Sequence, residues 1–454
     1  MSPLKRVGMS PEELNTGLAR VCTRVGLGAL SEEPQRLTGG AVMESWRFAA
    51  GGEAFVLRRA PSLAFMDGRP YGHATEAALI EAARAKGVTA PEVVAVLEEA
   101  DGLGSGFVMR ALPGTADPKV ILACDDPAGL LREAARDLAR IHSLRQADVP
   151  EGVPVMDYRA AIADLKQQFM EAGGDRPIIA LGLRWLEDNC PPEVEPVLNH
   201  GDYRMGNLLV EGSRLTGVLD WEIAHFGDPH EDLAFGCMAV WRFARYDRPA
   251  LGLGSLEDYF AAYEAESGTK IDPARFRFWT IYRTVWWALG CLKMAAQWRS
   301  GADRMLERVV ISRRTSEQEL DLLLLLEEDF PDVAATAGVT EPQSDYRRLG
   351  EASYEEMALA VSEWLGTLKD QMKGHDRFQL AVARNALGII SRDHLTNKAY
   401  ESWGHVDMVE FGGLRLSDAE YLSQLRRDVI QKVSADSPKY PALAYARKKW
   451  TGEN

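Results

Sequence analysis

The sequence predicts an α+β protein with a small β-rich segment, a longer helical region and a small all-helical domain at the end of the chain. Short runs with strand-like alternation lie within residues 34–112, whereas a helical period dominates beyond residue 127. A stretch rich in turn formers and without periodicity then separates two helical regions. We therefore divide the chain into residues 1–112, residues 113–330, a linker at 331–345, and residues 346–454.

The β-rich segment is predicted to form a small sheet that carries one helix. Residues 34–59 are typical of three strands, in which Trp46 and Phe48 alternate with polar neighbours. Residues 74–86 are strong helix formers. Two further strands are predicted at residues 93–97 and 106–112.

The region that follows is helical and is interrupted by one hairpin. Residues 130–144 and 162–170 have the apolar spacing of amphipathic helices, and helices are expected again at 232–328. The hairpin is predicted from strands at 208–211 and 215–219.

The final segment contains three helix candidates of its own. The second covers residues 378–395, and the third follows a capping box at Ser417–Glu420. The first and third candidates carry apolar stripes, formed by Tyr354, Met357, Val361, Trp364, Leu365 and Leu368 in the first and by Leu422, Leu425, Val429 and Val433 in the third.

Composition limits the classes of function. Non-specific nucleic-acid binding needs basic surface, and the net charge here is −15. Five cysteines without a C-x-x-C pair indicate neither a zinc site nor a disulfide framework. The most apolar long stretch, residues 285–296, is too short to span a bilayer and contains Lys293. We expect a cytoplasmic protein with reduced thiols and with neither a nucleic-acid nor a membrane partner, and the oligomeric state stays open.

One motif carries the chemistry: His200-Gly-Asp-Tyr-Arg-Met-Gly-Asn207, followed by the hairpin and by Gly217-Val-Leu-Asp-Trp-Glu222. Phosphoryl transfer requires a carboxylate near the attacking hydroxyl and oxygen ligands for magnesium. Asp202 and Asn207 have the spacing of a kinase catalytic loop, in which the aspartate accepts the hydroxyl proton and the asparagine binds metal. The hairpin would bring Asp220 beside Asn207. Each residue alone fits a turn or a helix cap, but together they predict catalytic Asp202, Asn207 and Asp220, the last two as metal ligands.

These motifs, with Gly227-Asp-Pro-His-Glu-Asp-Leu-Ala234, resemble the aminoglycoside phosphotransferase and choline kinase superfamily, in the branch of kinase domains associated with acyl-CoA dehydrogenases. The resemblance covers residues 20–330 and implies a bilobal protein-kinase-like fold that binds ATP and Mg²⁺ between its lobes. It also implies that His200 orients the catalytic loop and that Asp232 fixes it, although a helix cap would explain Asp232 as well. His142 is expected only to pack in its helix.

The resemblance also assigns nucleotide-binding residues in the first 112 residues. Gly39 and Gly40 match the glycine turn over the phosphates, although two glycines between strands often form only a hairpin. Arg58 takes the place of the usual strand lysine that binds the α- and β-phosphates, and Glu76 matches its helix partner. An exposed strand arginine and a solvated helix carboxylate are the alternatives. Met109 lies in the strand that would lead to the adenine-binding hinge.

The acceptor is expected to be a small molecule with a free hydroxyl group. Residues 242–314 contain 13 Lys/Arg and 8 Asp/Glu, a balance of +5 that suits an anionic acceptor better than a polycationic aminoglycoside. The branch resemblance points to a CoA-linked acceptor, most specifically a 4-hydroxyacyl-CoA in hydroxy-acid catabolism. An aminoglycoside- or amino-alcohol-type kinase and a non-catalytic nucleotide-binding module remain alternatives, the latter because of Arg58.

The final segment resembles a small bacterial domain that can be encoded separately beside kinases of this branch. The match rests on Gly374-His-Asp-Arg-Phe378 and on the run from Ala381 to Asp393. His375, Asp376 and Arg377 are polar enough for a site, but a helix start explains them too. We predict that residues 346–454 form an accessory domain that contacts the helical lobe and helps to form the acceptor site.

Overall fold

The computed structural model describes residues 9–37, 43–243, 245–303, 305–339, 354–393 and 416–451. The chain forms two compact units: the first comprises residues 1–157 and 192–276, and the second comprises 158–191 and 277–454. These units group the chain differently from the predicted domains, since residues 158–191 and 277–330 fall in one unit with residues 346–454, here called the tail, whereas 192–276 fall in the other. The boundaries at 112, 330 and 345 stay predictions.

The first unit begins with a five-stranded antiparallel sheet in the order β1-β2-β3-β5-β4. Helix α1 (Pro11–Val25) packs Leu14 and Leu18 against one face of the sheet, where Phe55 and Leu57 lie. The sequence analysis did not include this helix, although Ser10 and Glu13 form its capping box. The five predicted strands are confirmed as β1 (Gln35–Arg36), β2 (Glu44–Ala50), β3 (Glu53–Arg59), β4 (Val93–Val96) and β5 (Gly106–Arg110).

The other face of the sheet carries the predicted helix, α2 (His73–Ala85), whose Leu79 and Ile80 are fully buried. The rest of the unit is mainly helical. Strand β6 (Val197–Asn199) pairs with β9 (His225–Gly227), and the predicted hairpin is confirmed as β7 (Leu208–Glu211) and β8 (Arg214–Val218). The helices of this part are α3 (Pro118–Leu122), α4 (Pro127–Ile141), α7 (Pro229–Phe235) and α8 (Leu256–Ser267).

The regular structure in the described part of the second unit consists of helices. They are α5 (Tyr158–Glu171), α6 (Pro177–Asn189), α9 (Pro273–Ser300, from residue 277 onward), α10 (Leu306–Ser312), α11 (Thr315–Leu326), α12 (Pro331–Thr336), α13 (Tyr354–Thr367), α14 (Gly374–Arg392), α15 (Ala419–Asp436) and α16 (Pro441–Thr451). Helix α12 lies inside the predicted linker, because Pro331 occupies a first-turn position where its fixed φ favours a helix. None of the described helices is long and apolar enough to cross a membrane.

The tail packs on the helical core of this unit through α15 and α16, both of which contact α11. The predicted apolar face of α15 is confirmed, since Leu422, Leu425, Val429 and Val433 have no exposed surface. The guanidinium of Arg426 lies 2.9 Å from the buried carboxylate of Glu327. The predicted capping residue Ser417 was wrong by one position, because Asp418 accepts the backbone N–H groups of Glu420 and Tyr421.

The apolar stripe predicted for α13 is largely exposed. Tyr354 is 83% exposed and Trp364 is 61% exposed. The helix instead packs on α14 through the small residues Ala358 and Ser362, which allow a close approach. The hydroxyl of Ser362 donates to the carbonyl of Arg384 at 3.3 Å.

Candidate active site

The loop after β6 is held by one buried carboxylate. Asp232, on α7, accepts the backbone N–H groups of His200 and Gly201 at 2.5 and 2.8 Å. His142, which follows α4, places its Nε2 3.3 Å from the same carboxylate. Gly201 has φ 82°, and a Cβ there would lie 2.5 Å from the carbonyl oxygen of Ile223. The loop therefore requires glycine at this position and Asp232 as its anchor.

His200 is fully buried, as an orienting role requires. Its ring meets Trp221 edge to face, with ring centroids 4.7 Å apart. Its Nδ1 accepts the backbone N–H of Asp202 at 3.2 Å, which fixes the start of the next turn. His200 thus positions Asp202 through the backbone.

Asp202 is largely buried and is held from two sides. Arg204 donates from Nε and Nη2 to the two carboxylate oxygens, at 2.8 and 3.3 Å. The Nδ2 of Asn207 donates to Oδ2 of Asp202 at 2.6 Å and to its backbone carbonyl at 2.9 Å. Burial raises the pKa of Asp202 to about 6, against the opposing effect of Arg204. A carboxylate with this pKa is suited to accept a proton near neutral pH.

Arg204 connects Asp202 to an aromatic ring. Its guanidinium lies 4.4 Å from the ring centroid of Trp241, within the range of a cation–π contact. Because Arg204 contacts both carboxylate oxygens of Asp202, it sets the orientation and the charge of that group.

A second charged cluster surrounds Arg58, on β3. The Nε of Arg58 lies 3.1 Å from Glu76, on α2, and its Nη2 lies 2.5 Å from Asp220 and 2.9 Å from Glu222. Arg69, in the loop before α2, lies 3.0 Å from Glu222. The Arg58–Glu76 pair agrees with the sequence prediction. Three carboxylates thus surround two guanidinium groups, which leaves one excess negative charge.

This imbalance affects protonation in the cluster. Burial raises the pKa of Glu76 to about 7, although Arg58 opposes the rise. Burial and the charge of Asp220 also raise the pKa of Glu222. Burial disfavours the charged form of Arg58, but the three carboxylates outweigh it and raise the pKa of this arginine. Arg58 therefore stays charged, whereas Glu76 is partly protonated at neutral pH.

The two predicted metal ligands lie beside each other along the backbone. The N–H of Leu219 donates to the carbonyl of Asn207 at 2.8 Å, which brings the end of β8 next to the catalytic loop. Asp220 follows with φ 71°, a left-handed conformation that is costly for a non-glycine residue and typical of functional sites. The hydrogen bonds of Asn207 use Nδ2, which leaves its Oδ1 as the ligand atom.

Among the described residues, no group of three or more His, Cys, Asp or Glu side chains is arranged to hold a metal ion. The donor set formed by the Asn207 amide oxygen and the Asp220 carboxylate nevertheless suits Mg²⁺, which takes few protein ligands and completes its shell with phosphates and water. These two residues therefore fit a magnesium ion that arrives with a nucleotide.

The structure brings Arg58, Glu76, Asp202, Asn207 and Asp220 together in the first unit. Met109 lies inside β5, paired with strands on both sides, so its backbone groups serve the sheet. Only its half-buried side chain is available to a ligand. The predicted glycines Gly39 and Gly40 lie outside the described residues.

Sequence reasoning did not assign four residues of this site: Arg69, Glu222, Arg204 and Trp241. Two of them stood inside quoted motifs, since Arg204 is two residues after Asp202 and Glu222 is two residues after Asp220. Their spacing was a usable signal. Arg69 and Trp241 lie in segments without periodicity and reach the site only through tertiary contacts.

Comparison with known proteins gives a family for this arrangement. The model of the phosphotransferase enzyme family, APH, matches residues 33–279, more than half of the chain. A solved structure from Ralstonia eutropha, assigned as a candidate aminoglycoside phosphotransferase, superposes with a TM-score of 0.56 at 20% identity. It covers 69% of this chain and 98% of its own. This likeness confirms the predicted α+β, kinase-like fold.

Two curated relatives differ in the activity that their names state. Mouse acyl-CoA dehydrogenase family member 10 is 29% identical over 231 residues, which is 46% of this chain and 21% of that protein. Hygromycin-B 4-O-kinase from Escherichia coli is 28% identical over 220 residues, which is 44% of this chain and 60% of that protein. The chain thus spans only part of each curated relative.

Proposed function

This chain belongs to the phosphotransferase enzyme family and is a small-molecule kinase, and we propose that it transfers the terminal phosphoryl group of ATP to a hydroxyl group with Mg²⁺ as cofactor. The observation that carries this proposal is the placement of Asp202, Asn207 and Asp220 in one unit with the Arg58–Glu76 pair. A carboxylate base, two oxygen ligands and a buried cation are the parts that phosphoryl transfer needs.

Asp202 is the proposed general base. Its carboxylate accepts the proton of the acceptor hydroxyl while that oxygen bonds to the γ-phosphorus and the bond to the ADP oxygen breaks. Asn207 and Arg204 hold the carboxylate in place during this step. When bound, magnesium would neutralise charge on the phosphates next to Asn207 and Asp220.

Arg58 is the proposed phosphate-binding cation. Its Nε is held by Glu76 and its Nη2 contacts Asp220 and Glu222, so a phosphate that binds at Nη2 would compete with these two carboxylates. Arg69 also forms an ion pair with Glu222. Glu222 therefore competes less strongly with a phosphate for Arg58. These contacts favour a catalytic reading over the non-catalytic nucleotide-binding alternative.

The proposed acceptor is a 4-hydroxyacyl-CoA. Support comes from the name of the mouse relative and from the positive balance of residues 242–314. That balance needs a correction, because at least four of its arginines, Arg275, Arg277, Arg313 and Arg314, pair with acids outside the counted segment. Arg275 lies 2.6 Å from Asp228 within the first unit, and Arg277 lies 3.0 Å from Asp329 within the second. The local charge therefore supports an anionic acceptor less strongly than the count implied.

A screen of ADP release tests both the reaction and the acceptor. We expect turnover of 4-hydroxyacyl-CoAs in preference to hygromycin, kanamycin and choline, and loss of turnover in Asp202→Asn. Asp188→Asn, an exposed acid on α6, serves as the matched control. Faster turnover of an aminoglycoside than of any hydroxyacyl-CoA would support the antibiotic-kinase alternative, which the hygromycin kinase relative favours. ADP release with none of these acceptors would contradict the proposed reaction.

A further inference from the structure

A cavity of about 400 Å³ lies within the second unit, where a tail helix meets four helices that precede it. Its lining comes from the end of α5, the last turns of α9, the junction of α10 and α11, and the end of α15. This volume is within the range of small-ligand pockets. None of the residues described so far as catalytic contributes to it.

Cationic side chains outnumber acidic ones in this lining. Arg176, Lys293, Arg299, Arg313 and Lys432 face three carboxylates, those of Glu171, Asp175 and Asp436. An apolar wall, which includes Leu289 and Leu292, completes the cavity. The cavity thus combines an apolar surface with a positive lining.

The pairing of these charges shows where the positive surplus lies. Asp436 is 1% exposed and is shared by two cations, Arg313 at 2.6 Å and Lys432 at 3.3 Å. The side chain of Lys432 is only 11% exposed, although a lysine is rarely buried to this degree without a partner of its own. Arg313 has a second partner, Asp393 at 2.5 Å, whereas Lys432 pairs only with the carboxylate that it shares among the described residues.

Two more cations stand at the rim. Lys293 and Arg299 lie on exposed positions of α9, and neither forms an ion pair with the described residues. Arg176 is paired with Asp175 of the lining at 3.4 Å and with the buried Glu319 at 3.7 Å. An anion that entered the cavity would meet Lys432 inside, next to the doubly paired Arg313, and Lys293 and Arg299 at the entrance.

The protonation of Lys432 agrees with this surplus. Burial lowers the pKa of its ammonium group, and the neighbouring charges of Arg313 and Arg176 lower it further, whereas Asp436 opposes them. A second negative charge beside the ammonium group would stabilise its charged form.

We infer that this cavity is a binding site for a small molecule with a phosphate group, separate from the phosphotransfer site. The ammonium of Lys432 and the guanidinium of Arg313 offer charge-assisted hydrogen bonds to phosphate oxygens, and the apolar wall takes the body of the ligand. Because Lys432 belongs to the tail and the other cations do not, the ligand joins the tail to the helices of the same unit. The inference does not depend on the identity of the phosphoryl acceptor.

The test is a titration of the full chain with inorganic pyrophosphate at constant ionic strength, followed by calorimetry. Lys432→Met is compared with Lys439→Met, which removes the same charge from an exposed position three residues beyond α15. Pyrophosphate bound at the nucleotide site would be unaffected by either change. We expect Lys432→Met to weaken one binding event by about tenfold or more, as the loss of a charge-assisted hydrogen bond implies, while Lys439→Met leaves it unchanged.

Arg299→Gln, at the exposed rim, is a second test of the site and does not change a buried residue. It should weaken the same event by a few-fold, because its charge acts at the entrance and is partly screened. Titration with malonate separates a phosphate site from a general dianion site, since equal affinity for malonate would overturn the assignment to phosphate. Equal affinity in Lys432→Met and Lys439→Met, or no saturable binding by the wild-type chain, would overturn the site itself.

Discussion

The bond between Arg204 and Asp202 makes a specific prediction about the pH dependence of the reaction. The raised pKa of Asp202, about 6, means that its ionised, proton-accepting form is lost as the pH falls through 6. Arg204 contacts both carboxylate oxygens and lowers that pKa. Replacing Arg204 with glutamine removes the charge and should therefore move the acid limb of the kcat profile to higher pH.

The size of this shift follows from the geometry. An opposite charge in direct contact with a carboxylate lowers its pKa by about one to three units, and partial exposure of this pair places the effect near the lower bound. The acid limb in Arg204→Gln should therefore rise by about one pH unit, equivalent to ~1.4 kcal/mol.

The assay is steady-state ADP release between pH 5 and 9, with Arg204→Lys as the matched control. Lysine retains the charge, so its acid limb should stay close to that of the wild type even if kcat falls through poorer geometry. A loss of kcat without movement of the limb in Arg204→Gln would show that Arg204 contributes geometry alone and would refute the electrostatic argument.

Four other changes test the remaining assignments. Asp202→Asn should lower kcat by ~10²–10⁴-fold and raise the melting temperature more at pH 8 than at pH 5, because a pKa raised in the folded state costs stability progressively as the pH rises from the unfolded value of 3.8 to the folded value of about 6. Equal melting shifts at both pH values would contradict this expectation. Asp220→Ala should abolish the Mg²⁺-dependent stabilisation by ATP in a thermal shift assay, and an unchanged shift would remove Asp220 from the metal site. Arg58→Ala should raise the KM for ATP, whereas Arg47→Ala, on the neighbouring strand, should not. Truncation after residue 339 should lower both the melting temperature and the activity, because it removes Arg426 and Lys449, which pair with the buried Glu327. A truncated chain of unchanged stability would show that the tail does not stabilise the rest of the protein.

The parts of the fold that the sequence could predict are those encoded by neighbouring residues. The hairpin after Asn207 follows from two short apolar runs around Gly212-Ser213, and the observed strands lie within one residue of the predicted ones. The spacing of Asp202 and Asn207 is likewise local, and a hydrogen bond of 2.6 Å joins their side chains. Local spacing could also have identified Arg204 as a residue of the site.

Contacts distant in sequence could not be predicted in the same way. Glu222 meets Arg58 across 164 residues of chain, and Arg69 comes to Glu222 from a loop without a pattern. Helix α13 shows a related difficulty, because an apolar stripe predicts that a face can be buried but not which neighbour is present to bury it. In this chain the neighbour, α14, packs against the small residues Ala358 and Ser362.

The charge balance around Arg58 favours a cation at the proposed nucleotide site. Glu76, Asp220 and Glu222 exceed their two guanidinium partners by one negative charge, and part of this excess is met by a proton on Glu76, whose pKa is about 7. A cation beside Asp220 would weaken the repulsion between Asp220 and Glu76 and would thereby lower the pKa of Glu76. Binding of the cation is therefore coupled to loss of the proton from Glu76. The same coupling makes cation binding weaker below pH 7, where the proton already neutralises the cluster. Arg58 fits this arrangement because its fork contacts three carboxylates at once, which the single ammonium group of a lysine could not match with the same geometry.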